Sequence, residues 1–114
     1  MKIEELFPHL NEEDIAKFDA LDLDYTEESL LVELVDGGCY QEDINEILEY
    51  KHIEQEGGGE GGAEDCHTVF KVKGKFFRVD YSYYSHYGSN YDNIVNSLTE
   101  VFPKEVTVTV YTPE

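Results

Sequence analysis

The sequence predicts an α+β fold: N-terminal short helices followed by a mostly antiparallel β-sheet, a meander with a C-terminal hairpin. Three observations carry this expectation. Capping residues precede apolar stripes of helical spacing within residues 11–49. Period-2 alternation takes over from Thr68 onward. One glycine-rich stretch, Gly57-Gly58-Gly59-Glu60-Gly61-Gly62, separates the two regimes and reads as a loop or linker.

The helical elements follow from their signals. Asn11-Glu12-Glu13-Asp14 resembles a capping box with Asp14 in place of the usual Glu, and Ile15, Phe18 and Leu21 form a short stripe behind it. Thr26 is the N-cap expected for a second helix through Val35. Glu27 and Glu28 sit in its first turn, where the helix dipole favours acids. Leu30, Leu31, Leu34 and Val35 share one face, and Gly37-Gly38 stops the helix. A third helix is expected from about Gln41 to Glu49, with Ile44, Ile47 and Leu48 inward.

The strands follow from alternation. Tyr50 to Glu56 is a candidate strand before the glycine stretch. Thr68 to Val72 and Phe76 to Tyr84 flank the turn candidate Lys73-Gly74, with Phe77, Val79, Tyr81 and Tyr83 on one face. Residues 84–91 are expected to form a loop. Leu98 to Phe102 and Glu105 to Tyr111 flank Pro103-Lys104 as a terminal hairpin. There is no internal repeat. The expected organisation is a single domain over residues 1–114: an acidic helical half (1–56), the glycine loop (57–62) and a β-rich half (63–114).

Composition limits the function. The chain has 114 residues, 26 acids and 8 bases, for a net charge of −18. Residues 1–56 hold 18 acids and 3 lysines, and residues 57–114 hold 8 acids and 5 bases, so the excess lies in the helical half. This argues against direct binding to nucleic acid or an anionic membrane, because phosphate neutralisation needs Lys and Arg. It favours a basic partner. No apolar run approaches a membrane span. The start, Met1-Lys2-Ile3-Glu4-Glu5, lacks the apolar segment of a signal peptide, and two cysteines, Cys39 and Cys66, make no disulfide framework. A cytoplasmic location is expected.

Chemical motifs are sparse. The glycine stretch lacks the Gly-Lys-Ser/Thr ending of a phosphate loop. Cys66 and His67 are adjacent, so on a strand they point to opposite faces and cannot easily share a metal ion or act as nucleophile and base. His52, His86 and Cys39 have no ligand spacing. The calcium-loop pattern from Asp22 fails at Glu27, where glycine is required. No catalytic residue, cofactor or metal is therefore expected, and the chain reads as a non-enzyme. Lys71, Lys73, Lys75 and Arg78 form the one cationic cluster, expected to pair internally with the acidic helices.

Two features point to binding. Helix carboxylates off the apolar stripes can present negative charge at spacings comparable to DNA phosphates. Tyr81-Ser82-Tyr83-Tyr84-Ser85-His86-Tyr87-Gly88-Ser89-Asn90-Tyr91 has the residue palette of an antibody paratope. The expected contacts are Glu12, Glu13, Asp14, Asp22, Asp24, Glu27, Glu28, Glu42, Asp43 and Glu46, anchored by Tyr84, Tyr87 and Tyr91.

The segment Val69-Phe70-Lys71-Val72-Lys73-Gly74-Lys75-Phe76-Phe77-Arg78-Val79-Asp80-Tyr81, the Tyr/Ser/Gly stretch after it and the closing Phe102-Pro103-Lys104-Glu105-Val106-Thr107-Val108-Thr109-Val110-Tyr111 carry a resemblance. Over about residues 64–112 the chain resembles small acidic proteins of bacteriophages and mobile elements. The resemblance implies an origin among phage accessory genes and an inhibitor of a host enzyme or defence complex. It carries no functional residue.

The functional expectation is an acidic inhibitor that occludes the basic groove of a bacterial host's nucleic-acid-handling or defence protein, in the manner of a DNA mimic. The alternative is a structural or assembly protein of a phage or mobile element, acting through strand-edge pairing with Val106–Tyr111 as the edge. Oligomeric state stays open.

Overall fold

Helix starts in this chain are set by side chains that take up free backbone N–H groups. In the computed structural model the Asn11 side chain accepts from the Asp14 N–H at 2.8 Å, and Thr26 and Ser29 form a reciprocal capping box. The structure describes residues 2–56, 63–84, 88–91, 94–104 and 109–113, and only the backbone of residues 63, 64, 83, 84 and 88–90.

Four helices come first: α1 (Ile3–Leu6), α2 (Glu12–Ala20), α3 (Glu27–Val35) and α4 (Glu42–Leu48). Asn11 and Thr26 cap α2 and α3 as the sequence predicts. The reverse half of the expected box at α2 is replaced, because the Asp14 carboxylate turns to Lys73. The short α1 was not expected. It has no side-chain cap and is held by burial of Ile3 and Leu6. After α3 the chain passes through Gly37 at φ +104° and Gly38 at φ +121°, conformations costly for any residue with a Cβ.

The described residues form five strands of one sheet: β1 (Lys51–Glu56), β2 (Ala63–Val72), β3 (Lys75–Tyr84), β4 (Gly88–Asn90) and β5 (Thr99–Val101), with a fifth short helix, α5 (Ile94–Ser97), before β5. All pairings are antiparallel, in the order β1-β2-β3-β4, with β5 also on β3. The fold is thus α+β. β2 and β3 pair over ten residues, Ala63↔Tyr84 to Val72↔Lys75. Their turn is Lys73-Gly74, with φ of 46° and 83°, the two positive values that match hairpin twist.

β4 and β5 share the outer side of β3, at opposite ends of it. Between them the Ser97 hydroxyl takes the place of a strand: it accepts from the Asp80 N–H at 3.0 Å and lies 3.2 Å from the Asp80 carbonyl. β4 corrects the expected loop over residues 84–91, where the run of Ser, Gly and Asn concealed a strand. α5 was also missed, being one turn long with only Ile94 fully inward. β5 pairs with β3 through Phe76↔Val101. The expected partner strand of the terminal hairpin lies partly outside the described residues, at 105–108, and Thr109 to Pro113 belong to no strand.

One face of the sheet makes the core. Cys66, Thr68, Phe70 and Val72 of β2 and Phe77, Val79 and Tyr81 of β3 are buried, at the alternate positions that a pleated strand turns to one side. α1 to α5 all contribute side chains to the same cluster. At its centre Phe7, in the loop after α1, lies edge-on to Phe70 at 6.4 Å and to Phe77 at 5.1 Å. His9 follows it and bonds the Val72 carbonyl at 2.8 Å through Nε2. This pins the N-terminal segment to the end of β2.

Phe7 is fully buried and joins helices to sheet, so Phe7→Ala is expected to cost about 3–5 kcal/mol. Urea unfolding followed by circular dichroism measures this. A loss well under about 1 kcal/mol would show that the aromatic cluster does not hold the helices to the sheet.

Candidate functional site

The exposed carboxylates come from helices whose apolar stripes are turned to the sheet, and, for Asp22 and Asp24, from the segment between α2 and α3. Glu12, Asp22, Asp24, Glu28, Glu42, Asp43 and Glu46 are exposed. None of the seven is ion-paired with a lysine, arginine or histidine among the described residues. Glu13 is exposed too but pairs with Lys17 at 3.1 Å, one helical turn on.

Asp14 corrects the expectation that it faces a partner. Its side chain is only 7% exposed and lies 3.2 Å from Lys73 Nζ. Lys73 also meets Glu49 at 3.6 Å, and the hydrogen bond to Asp14 raises the lysine pKa. Lys73 therefore remains charged and neutralises its own neighbours. Its backbone N–H donates to the Leu48 carbonyl at 2.8 Å, at the C-terminal end of α4. The other clustered cations pair within the sheet: Lys75 with Glu100 at 3.2 Å and Arg78 with Asp80 at 2.9 Å. Lys71 stands 5.4 Å over the Phe76 ring. Of the four, Lys73 alone meets the acidic helices as expected.

This arrangement leaves an open cleft of about 390 Å³ between α2 and α4. Ala20, Leu21 and Ile47 supply its apolar lining, Asp14, Asp43 and Glu46 its carboxylates, and Lys17 and Lys73 two ammonium groups that pair with Glu13 and Asp14. The cleft brings three of the ten expected acids together. Its apolar lining suits the methylene stem of a lysine or arginine, and exposed Asp43 and Glu46 suit the charged head. The sequence held the signal for Ile47 as an inward residue, but nothing local in it placed α2 beside α4.

A second acidic contact joins α1 to α3. The neighbouring Glu5 carboxyl raises the Glu27 pKa, with burial adding to the effect. Glu27 is half-buried and so is a poorer partner contact than its neighbour Glu28.

The tyrosine surface is less open than expected. Tyr91 is half-buried against the core, its ring 5.2 Å from that of Tyr81. Tyr81 is a core residue whose hydroxyl accepts from Gln55 Nε2 at 2.7 Å. The Tyr83 and Tyr84 side chains and all of Tyr87 lie outside the described residues.

Other chemistries find little support. Cys66 is buried on the core face and His67 lies on the opposite face, near Glu54 and Glu56. Cys39 is also buried, and burial together with the Glu33 carboxylate pushes its thiol pKa up to about 12, far from the range of a reactive thiolate. Among the described residues no group of three or more His, Cys, Asp or Glu is placed to hold a metal ion, and no helix is long and apolar enough to cross a membrane. The chain matches no protein-family model, no curated protein and no solved structure.

The Glu5–Glu27 contact makes a pH prediction. A carboxyl whose pKa is raised on folding binds its proton more tightly in the native state, so its contribution is favourable at low pH. That contribution is lost as pH rises through the raised value. Glu27→Gln is therefore expected to raise the melting temperature at pH 7 and to leave it nearly unchanged at pH 3.5. Equal shifts at both pH values would remove the carboxyl contact as the cause.

Proposed function

We propose that the protein is a non-enzymatic acidic binding protein that occludes a basic groove of a nucleic-acid-handling or defence protein. The observation that carries this reading is the set of seven exposed carboxylates on and between α2, α3 and α4 that have no cation partner among the described residues, two of which, Asp43 and Glu46, line the α2–α4 cleft. Among the described residues, Lys17, Lys73, Lys75 and Arg78 are engaged by the protein's own acids. They leave the helical side to attract a Lys/Arg-rich surface. The partner's cations would seat at Asp43 and Glu46, with Glu12, Asp22, Asp24, Glu28 and Glu42 adding long-range attraction. Such a surface competes with phosphates for the same groove. An origin in a phage or mobile element, and a site of action in a bacterial host, fit this reading.

Assembly through a strand edge is the second reading. One edge of the sheet among the described residues is β1, all six residues of which are exposed. Its Lys51, Glu54 and Glu56 and the register shift between His52 and Glu54 are devices that disfavour edge pairing. The occlusion reading is therefore the stronger.

Capture from bacterial lysate on the tagged protein tests it. The expected result is a basic protein that duplex DNA displaces and that loses at least tenfold affinity between about 50 and 500 mM salt. Asp43→Asn/Glu46→Gln is expected to weaken the same capture. A partner retained against excess DNA and at high salt would overturn the reading.

A further inference from the structure

The helices cover one face of the sheet, and the other face differs from the rest of the molecule. Across the strands from β1 to β5 it reads Lys51–Lys71–Phe76–Val101, then Glu54–Val69–Arg78–Thr99, then Glu56–His67–Asp80. With Asp65 included, it carries three cations and four acids, against five cations and 22 acids in the remaining chain. Near neutrality on a chain of net charge −18 marks this face out. It also holds an open groove of about 350 Å³, in which Ile53, Val69, Phe76, Val101 and Phe102 give an apolar lining beside Glu54 and Arg78. Ile53 is 41% exposed and Phe102 76%. Among the described residues no helix lies over it.

We propose that this face is a self-association surface, on which two copies stack sheet to sheet about a two-fold axis parallel to the strands. The order of residues in each row supports that operation. It sets Lys71 of one copy against Phe76 of the other, Lys51 against Val101, and Val69 against Arg78. It sets His67 against Asp80 and Glu54 against Thr99. No like charges meet, and an ammonium gains a second ring face. A two-fold axis across the strands sets Phe76 against Asp80 and Lys71 against His67, which is worse on both counts. The chosen operation also leaves strands aligned, the common geometry for stacked sheets.

The net charge does not forbid it. Layer spacings of ~10 Å place the two helical layers roughly 30 Å apart, beyond a Debye length of ~8 Å at physiological salt. The face is small, roughly 300 Å² of sheet plane from strand spacings. That is below the ~800 Å² per partner of a standard interface, so the dimer is weak and reversible. Two copies of equal sign repel at long range, so salt strengthens the association. This is the opposite of its effect on a basic partner.

Sedimentation equilibrium from about 20 µM to 1 mM, at about 50 and 500 mM salt, tests the proposal. The mass is expected to rise with concentration from 13.1 kDa toward twice that value, and further at high salt. Ile53→Thr/Phe102→Ser, at two exposed positions, is expected to weaken association at least tenfold with an unchanged circular dichroism spectrum. Tyr40→Ser, at the 94% exposed Tyr40 outside the face, is expected to associate like the parent. A mass of 13.1 kDa throughout would overturn the proposal. So would association that the double variant does not weaken. Neither result bears on occlusion by the helices, which the DNA competition reads separately.

Discussion

The fold depends on where the β2–β3 turn is held. Lys73 binds α4 through its backbone, at the Leu48 carbonyl, and α2 through its side chain, at Asp14. One residue thus ties the longest hairpin of the sheet to two helices. The Asp14 carboxylate is buried, so removing the lysine would leave a charge without its partner, a costly state in a protein interior. The same contact fixes the α2–α4 spacing, and with it the cleft. A structural ion pair therefore stands beside the surface that carries the proposed function, and divides it: Asp14 is spent on the fold, while Asp43 and Glu46 remain free for a partner.

Burial on one face explains the remaining asymmetry. The chain is 30% charged, and its apolar residues suffice to cover one side of the sheet. Phe7, Phe70, Phe77 and the helix stripes fill that side. The acids are left on the outer surface of the helices, and the opposite sheet face keeps a mixed, nearly neutral surface with a short apolar groove. Two surfaces of different charge are a direct result of how few apolar residues the chain carries.

Much of this was legible in the residues. Thr26 and Asn11 announced their helices because a cap acts within three positions. Gly74 announced the hairpin because glycine accepts a positive φ without steric cost, between two alternating runs. The opposite orientation of Cys66 and His67 followed from strand alternation alone. What was not legible depends on contacts distant in sequence. Asp14 looked like a surface acid, since its partner lies 59 positions away. Tyr91 looked like an anchor, since nothing nearby showed that it packs on Tyr81. α1 and α5 are single turns held by the core rather than by their own propensity. The α2–α4 cleft arises from tertiary packing, so the sequence showed its acids without showing which of them converge.

Nitrogen-15 NMR of the protein titrated with oligolysine tests most directly the claim that the helical side, and not the sheet, receives positive charge. The account predicts that amide shifts concentrate at Ala20, Leu21, Asp43, Glu46 and Ile47, and that salt reverses them. Shifts spread evenly over the acidic residues, or centred on Val69 and Arg78 of the sheet, would contradict it.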